Sequence, residues 1–177
     1  MEILTLMRPD LSFREEIISY RAETMEADNG HISGGGGLDW FADPEEWLEF
    51  SRRQTRRETA DPGWVPSTQF IYVRESDRKI VGLIHVRHTF NAELERYGGN
   101  IGYSVRPSER KKGYAKRMLA DCLAFCKESG LERVLITCRT DNEGSRRTIL
   151  ANGGVYQSTV YKPEAGAMLQ RYWIELT

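Results

Sequence analysis

The stretch from Ile101 to Asn152 constrains this chain more than any other. An apolar strand, Ile101-Gly102-Tyr103-Ser104-Val105, stops at Arg106-Pro107, and a basic, glycine-bearing turn follows, Arg110-Lys111-Lys112-Gly113-Tyr114-Ala115. An amphipathic helical pattern then runs to Gly130, and a second apolar strand covers Arg133 to Cys138. Strand, turn, helix and strand in this order form a right-handed parallel crossover. The turn gathers positive charge and unpaired backbone N–H groups at a helix start, a place that binds phosphate.

Within the unit, Ala115, Met118, Leu119, Cys122, Phe125 and Cys126 recur at spacings of three and four and form one stripe that packs on a sheet. Cys122 and Cys126 belong to that stripe, which makes them core residues rather than metal ligands. Val134-Leu135-Ile136 is the continuous apolar run of a central strand covered on both faces. Thr140-Asp141-Asn142-Glu143 has capping-box spacing and opens a helix that ends at Asn152-Gly153-Gly154. Asn142 and Ser145 therefore lie in its first turn, at the carboxyl edge of the parallel strands, where open α/β sheets form crevices. Both capping and ligand contact fit them there.

The remaining segments read as elements around this unit. Glu2–Met7 is a first strand, and Ser12-Phe13-Arg14-Glu15 has capping-box spacing before a helix carrying Phe13, Ile17, Ile18 and Met25. The run from Asn29 to Gly37 holds too many glycines for regular structure and reads as a mobile linker or a substrate-side flap. It lacks the Gly-Lys-Ser/Thr ending of a Walker loop. Asp43-Pro44-Glu45-Glu46 starts a second helix reaching about Arg57, whose Arg52, Arg53, Arg56 and Arg57 read as a solvated face. Gln69–Arg74 and Lys79–Thr89 form an antiparallel pair, the second carrying His85, Arg87 and His88. Histidines on an apolar strand read first as hydrogen-bonded structural residues and second as ligands. Asn91–Gly99 is a polar loop, and Val155–Tyr161 with Met168–Leu176 is a closing hairpin.

Composition narrows the function classes. With 177 residues, 40% hydrophobic and 29% charged, the chain suits one globular domain over residues 1–177. A net charge of −1 argues against a general nucleic-acid or membrane-surface binder, so any anion site is local. No apolar run approaches the roughly 20 residues of a membrane span, and the N-terminus lacks a signal-peptide pattern, which points to the cytoplasm. Three cysteines and three histidines suggest reduced thiols and no metal.

The order of elements and the turn resemble the GNAT superfamily of acyl-CoA N-acyltransferases, whose acetyl-CoA loop reads Arg/Gln-x-x-Gly-x-Gly/Ala. Arg110 to Ala115 fit that pattern between the expected strand and helix. The resemblance is tightest over residues 99 to 154, and the wording from Asn142 and Ser145 to Gly154 is most similar to the uncharacterised predicted-acetyltransferase branch. It implies an α/β fold with a central mixed sheet, a splayed parallel strand pair and flanking helices. Residues 99–154 would be the acetyl-CoA core, and residues 1–66, with Trp40, Phe41, Trp47 and Trp64, the acceptor side.

The resemblance further implies that coenzyme A phosphates meet Arg110, Lys111, Lys112, Gly113, Tyr114 and Ala115. The pantetheine arm would bond free backbone groups near Ser104 and Val105, and Asn142 and Ser145 would line its path. Independently of family, a pyrophosphate needs converging N–H donors with small residues at Gly113 and Ala115, and five cations in eight residues, Lys116 and Arg117 included, suit it. An amine of a small molecule or peptide would attack the thioester directly, with no metal. Many members place a tyrosine acid seven residues beyond the asparagine, where this chain has Ile149. Tyr103, His88 and Tyr172 are the substitutes for that acid. A non-catalytic acyl-CoA sensor is the alternative, and a homodimer is in keeping with relatives.

Overall fold

Period-two alternation of apolar side chains builds two antiparallel sheets in the computed structural model, which describes residues 1–177. The first has the order β1 (Leu4–Met7), β2 (Ser67–Arg74), β3 (Lys79–Arg87) and β4 (Ile101–Val105). The second places β7 (Ala167–Glu175) between β5 (Arg133–Arg139) and β6 (Val155–Lys162). In β2, Phe70 and Tyr72 face one core while Ile71 and Val73 face another. One sheet thus supports two helical layers.

The helices are α1 (Arg14–Ala27), α2 (Pro44–Arg53), α3 (Tyr114–Glu128) and α4 (Glu143–Ala151). Ile17 and Tyr20 of α1 and Trp47 and Leu48 of α2 pack on Ile71, Val73, Ile80 and Leu83. The α3 stripe packs on the opposite face, where Met118, Leu119, Cys122 and Cys126 are fully buried against Val81, Ile84 and Ile136. Each fully buried large aliphatic side chain here contributes about 1.5–3 kcal/mol. All three cysteines are free thiols.

Capping differs in detail from the sequence reading. Asp10, not Ser12, begins the first helical segment, accepting from the Ser12 N–H at 2.8 Å. A short 3₁₀ turn, Leu11–Phe13, then leads into α1. Likewise Asn142, not Thr140, caps α4, accepting from the Ser145 N–H at 3.1 Å. Asp43 caps α2 as expected, but that helix ends at Arg53. The expected polar loop before β4 contains one wide helical turn, Leu94–Gly98.

Beside their shared core, the two sheets are joined by hydrogen bonds at Asn100. Asn100 donates its backbone N–H to Leu135 O at 2.7 Å and accepts the Leu135 N–H on its side-chain oxygen at 2.8 Å. Its Nδ2 donates to Arg87 O at 2.9 Å, and its own carbonyl accepts the Arg87 N–H at 2.7 Å. Beyond this joint β4 and β5 run in the same direction and diverge without a shared ladder. The splayed parallel pair opens there.

Candidate active site

The turn before α3 exposes donors rather than charge. Lys111 and Gly113 adopt the left-handed conformation, with φ of 64° and 82°. No backbone carbonyl or side chain accepts from the N–H groups of residues 111–116, the orphan amides of a helix start. The cations around them are mostly committed. Arg110 pairs with Asp28 at 2.7 Å and donates Nε to Val105 O at 3.0 Å. Lys112 pairs with Glu109 at 2.7 Å, and Arg117 donates to Glu2 O at 3.0 Å. Lys111 and Lys116 alone of the five hold no acceptor, so the expected cluster of five free cations reduces to two beside a ring of amides.

Glu109 anchors this geometry from beneath. Its carboxylate receives Arg74, Lys112 and Lys79, and the Arg74 hydrogen bond is foremost in pulling its pKa down to about 2. Arg106, almost fully buried, reaches Ile80 O, Glu16 and Glu23 and ties α1 to the strand ends. The turn is thereby held by ion pairs on the side away from its amides.

From the turn the path runs into the gap between β4 and β5. The Arg106 N–H donates to Val81 O, so the alternation of β4 turns the amides of Gly102 and Ser104 toward β3 and those of Tyr103 and Val105 toward the gap. Tyr103 crosses the gap, its hydroxyl 2.8 Å from Ser145 Oγ, and burial pushes its phenol up to about 12. The Ser104 hydroxyl instead sits 2.8 Å from Tyr20 Oη on the α1 side.

The gap opens onto a cavity of about 770 Å³. Cys138, Asn142, Ser145 and Tyr103 line one end, and the glycine run, Trp40, Trp64, His85 and Arg87 line the other. The glycine run is fastened rather than free: Trp47 Nε1 donates to Gly35 O at 2.8 Å, Gln69 Nε2 to Gly34 O at 2.9 Å, and Arg21 to the carbonyls of Leu38 and Asp39. Glycine is required there, since a Cβ on Gly34 would overlap Tyr103 Cα and one on Gly36 would overlap Gln69 Oε1. Both residues also have positive φ. His85, fully buried between Trp64 and this run, has its pKa pushed down to about 3, foremost by burial, and is neutral.

Of the expected substitutes for the acid, only Tyr103 lies in the gap. His88 bonds Thr68 Oγ1 at 2.8 Å and packs on Phe125, off the cavity lining. Tyr172 donates to Gln170 Oε1 at 2.9 Å inside the β5–β7–β6 core. Ile149 is fully buried in the same core. Sequence reasoning missed Asn100, Gln69 and the cavity role of Arg87. The single available signal was a polar side chain within an apolar pattern, and that signal does not say which face of the strand is a cavity.

Comparison with known proteins places this geometry. The acetyltransferase (GNAT) family model matches residues 36–153. The ribosomal-protein-S5-alanine acetyltransferase of Vibrio fischeri shares the fold at a TM-score of 0.70 and 15% identity, over 99% of this chain and 96% of that one. RimJ of Mycobacterium smegmatis, in complex with CoA-disulfide, does so at 0.73 and 18%, over 97% and 81%. The microcin C7 self-immunity acetyltransferase MccE, in complex with acetyl-CoA and AMP, does so at 0.70 and 18%, over 97% and 92%. No curated protein matches the sequence significantly.

Proposed function

Because the chain belongs to the acetyltransferase (GNAT) family, we propose that it moves an acetyl group from acetyl-CoA to a primary amine of a small molecule or peptide by direct attack in a ternary complex. The observation that carries this reading is the run of six free amides at residues 111–116, continuous with a gap that opens onto the cavity. Residues 99–154 hold the donor. The N-terminal segment, joined by β3, shapes the acceptor side.

The orphan amides and the α3 dipole suit the pyrophosphate of acetyl-CoA, with Lys111 and Lys116 adding charge that no carboxylate cancels. The Val105 and Tyr103 amides face the gap, where a thioester oxygen gaining charge would be stabilised by a fixed N–H. Asn142 spends its oxygen on the helix cap, which leaves its Nδ2 for the pantetheine arm. Tyr103 stays protonated at neutral pH and serves the leaving thiolate as a hydrogen-bond donor. A phenol near 12 does not hand a full proton to a thiolate of pKa about 8.5, so protonation is completed by solvent. His85 is too weak a base to strip an ammonium at neutral pH, so the amine reacts in its free-base fraction.

Calorimetry with acetyl-CoA, followed by a thiol-release assay over an amine panel, tests this reading. Saturable binding with turnover is expected. Absence of acetyl-CoA binding sinks it, and tight binding without turnover on any amine would favour a sensor.

A further inference from the structure

We propose that Arg87 is an acceptor-recognition residue, and that the amine this protein acetylates carries a carboxylate close to the reacting nitrogen. The inference rests on the acetyltransferase reading above and names the substrate class of that site.

Arg87 ends β3 with its backbone locked to Asn100, so the guanidinium has a fixed origin at the joint between the sheets. Its side chain lines the cavity and makes one hydrogen bond, Nη1 to Gly98 O at 3.2 Å. It forms no salt bridge, whereas Arg74, half-buried like Arg87, and the buried Arg106 each hold two carboxylates. Of the acids on the same lining, Glu93 pairs with Lys162 at 2.8 Å, and Asp39, whose nearest basic group is His31 at 3.8 Å, makes no salt bridge to Arg87. Burial alone acts on the Arg87 charge, drawing its pKa down to about 10, and no anion offsets it. An uncompensated guanidinium in a cavity wall is costly unless a ligand supplies the counter-charge.

Its position says what the ligand is. A Cβ on Gly102 would stand 3.4 Å from Arg87 Nη2 and 3.5 Å from Nη1, so the fork lies over Gly102, one residue before the Tyr103 amide in the gap. An anion held there is within a few bonds of an amine attacking at the gap. A planar fork matches a carboxylate in two parallel hydrogen bonds. One unpaired cation balances a carboxylate, while a phosphate monoester brings about 1.5 to 2 negative charges. An α-, β- or γ-amino acid or a similar amino carboxylate fits.

The test is acetyl transfer from acetyl-CoA to amino acids of increasing chain length, to their carboxamides and to aminoalkyl phosphates, with wild-type, R87Q and R87K proteins. We expect at least one free acid to exceed its carboxamide about tenfold in kcat/KM. R87Q should bring that ratio to near one, mostly through KM, and R87K should keep part of it, while calorimetric affinity for acetyl-CoA is unchanged in both. A panel in which no acid beats its amide overturns the proposal, as does a preference for phosphates or a uniform loss in R87Q across all acceptors. Failure of wild-type protein to bind acetyl-CoA would overturn the parent reading as well, and calorimetry tells the two failures apart.

Discussion

The turn at residues 110–115 and the cavity wall built on β3 are both binding surfaces, yet they are made in opposite ways. At the turn, two of the five side-chain charges are cancelled, Arg110 by Asp28 and Lys112 by Glu109, and the backbone is left free. At the wall, the backbone is consumed by the β3–β4 ladder and the glycine-run anchors, and side chains such as Arg87 are left free. A surface of amides binds any phosphate of the right shape. A surface of side chains, drawn from distant parts of the chain, selects.

The substitution that cuts deepest into this contrast is Gly113→Glu. Nothing lies within 4 Å of a Cβ there, so the damage comes from a carboxylate amid the orphan amides and from a φ of 82°. Acetyl-CoA affinity should fall at least about 100-fold by calorimetry, with a native circular dichroism spectrum. Preserved affinity would mean that the amides are not the phosphate seat.

Glu109→Gln probes the same turn from its supporting side. Arg74 loses its buried partner, and stability should drop by about 2 kcal/mol in urea denaturation. Acetyl-CoA affinity should fall far less than in Gly113→Glu, because the amides remain and Lys112 is released rather than removed. The wild-type carboxylate has its pKa lowered from an ordinary value of 4.5 to about 2, so its stabilisation is present above pH 4.5 and is lost as pH falls through that window. The variant should lack that part of the acid-melting slope.

Gly36→Ala moves the probe to the wall. Overlap with Gln69 Oε1 should raise the acceptor KM about tenfold and leave acetyl-CoA affinity alone. The smallest effect is expected for His85→Gln. Native His85 titrates near 3 against 6.5 unfolded, so the unfolded state takes up more protons between those values. Stability contributed by keeping the ring neutral falls as pH drops from 6.5 toward 3, and the variant should melt with a flatter pH dependence there.

These two surfaces also explain what could be read from sequence. The turn is local: six consecutive residues, a preceding strand and a following stripe at helical spacing hold everything it needs, so its setting was legible from Ile101 to Asn152. What escaped was the pairing of its charges, since Asp28 and Glu2 lie far off in sequence. The wall joins residues 34–40, 64 and 85–87, and no spacing rule connects them. His88 and His85 looked equivalent on one strand, but they stand three residues apart, an odd separation that turns them to opposite faces, and the strand itself ends at Arg87. One packs on Phe125 of α3 and the other reaches the cavity. The glycine run read as a mobile linker or a substrate-side flap, with no sign of its fastening, because its anchors, Trp47, Gln69 and Arg21, belong to other elements.

Asn100 is the rivet between two sheets that share no ladder. Its backbone N–H and its side-chain oxygen fasten it to Leu135, no ladder continues beyond, and the Tyr103–Ser145 contact spans the opening that follows. Strands rise about 3.3 Å per residue, so three to five residues along, the gap lies about 10–17 Å from that joint. The gap thus begins at one asparagine, standing where a ladder would otherwise have continued.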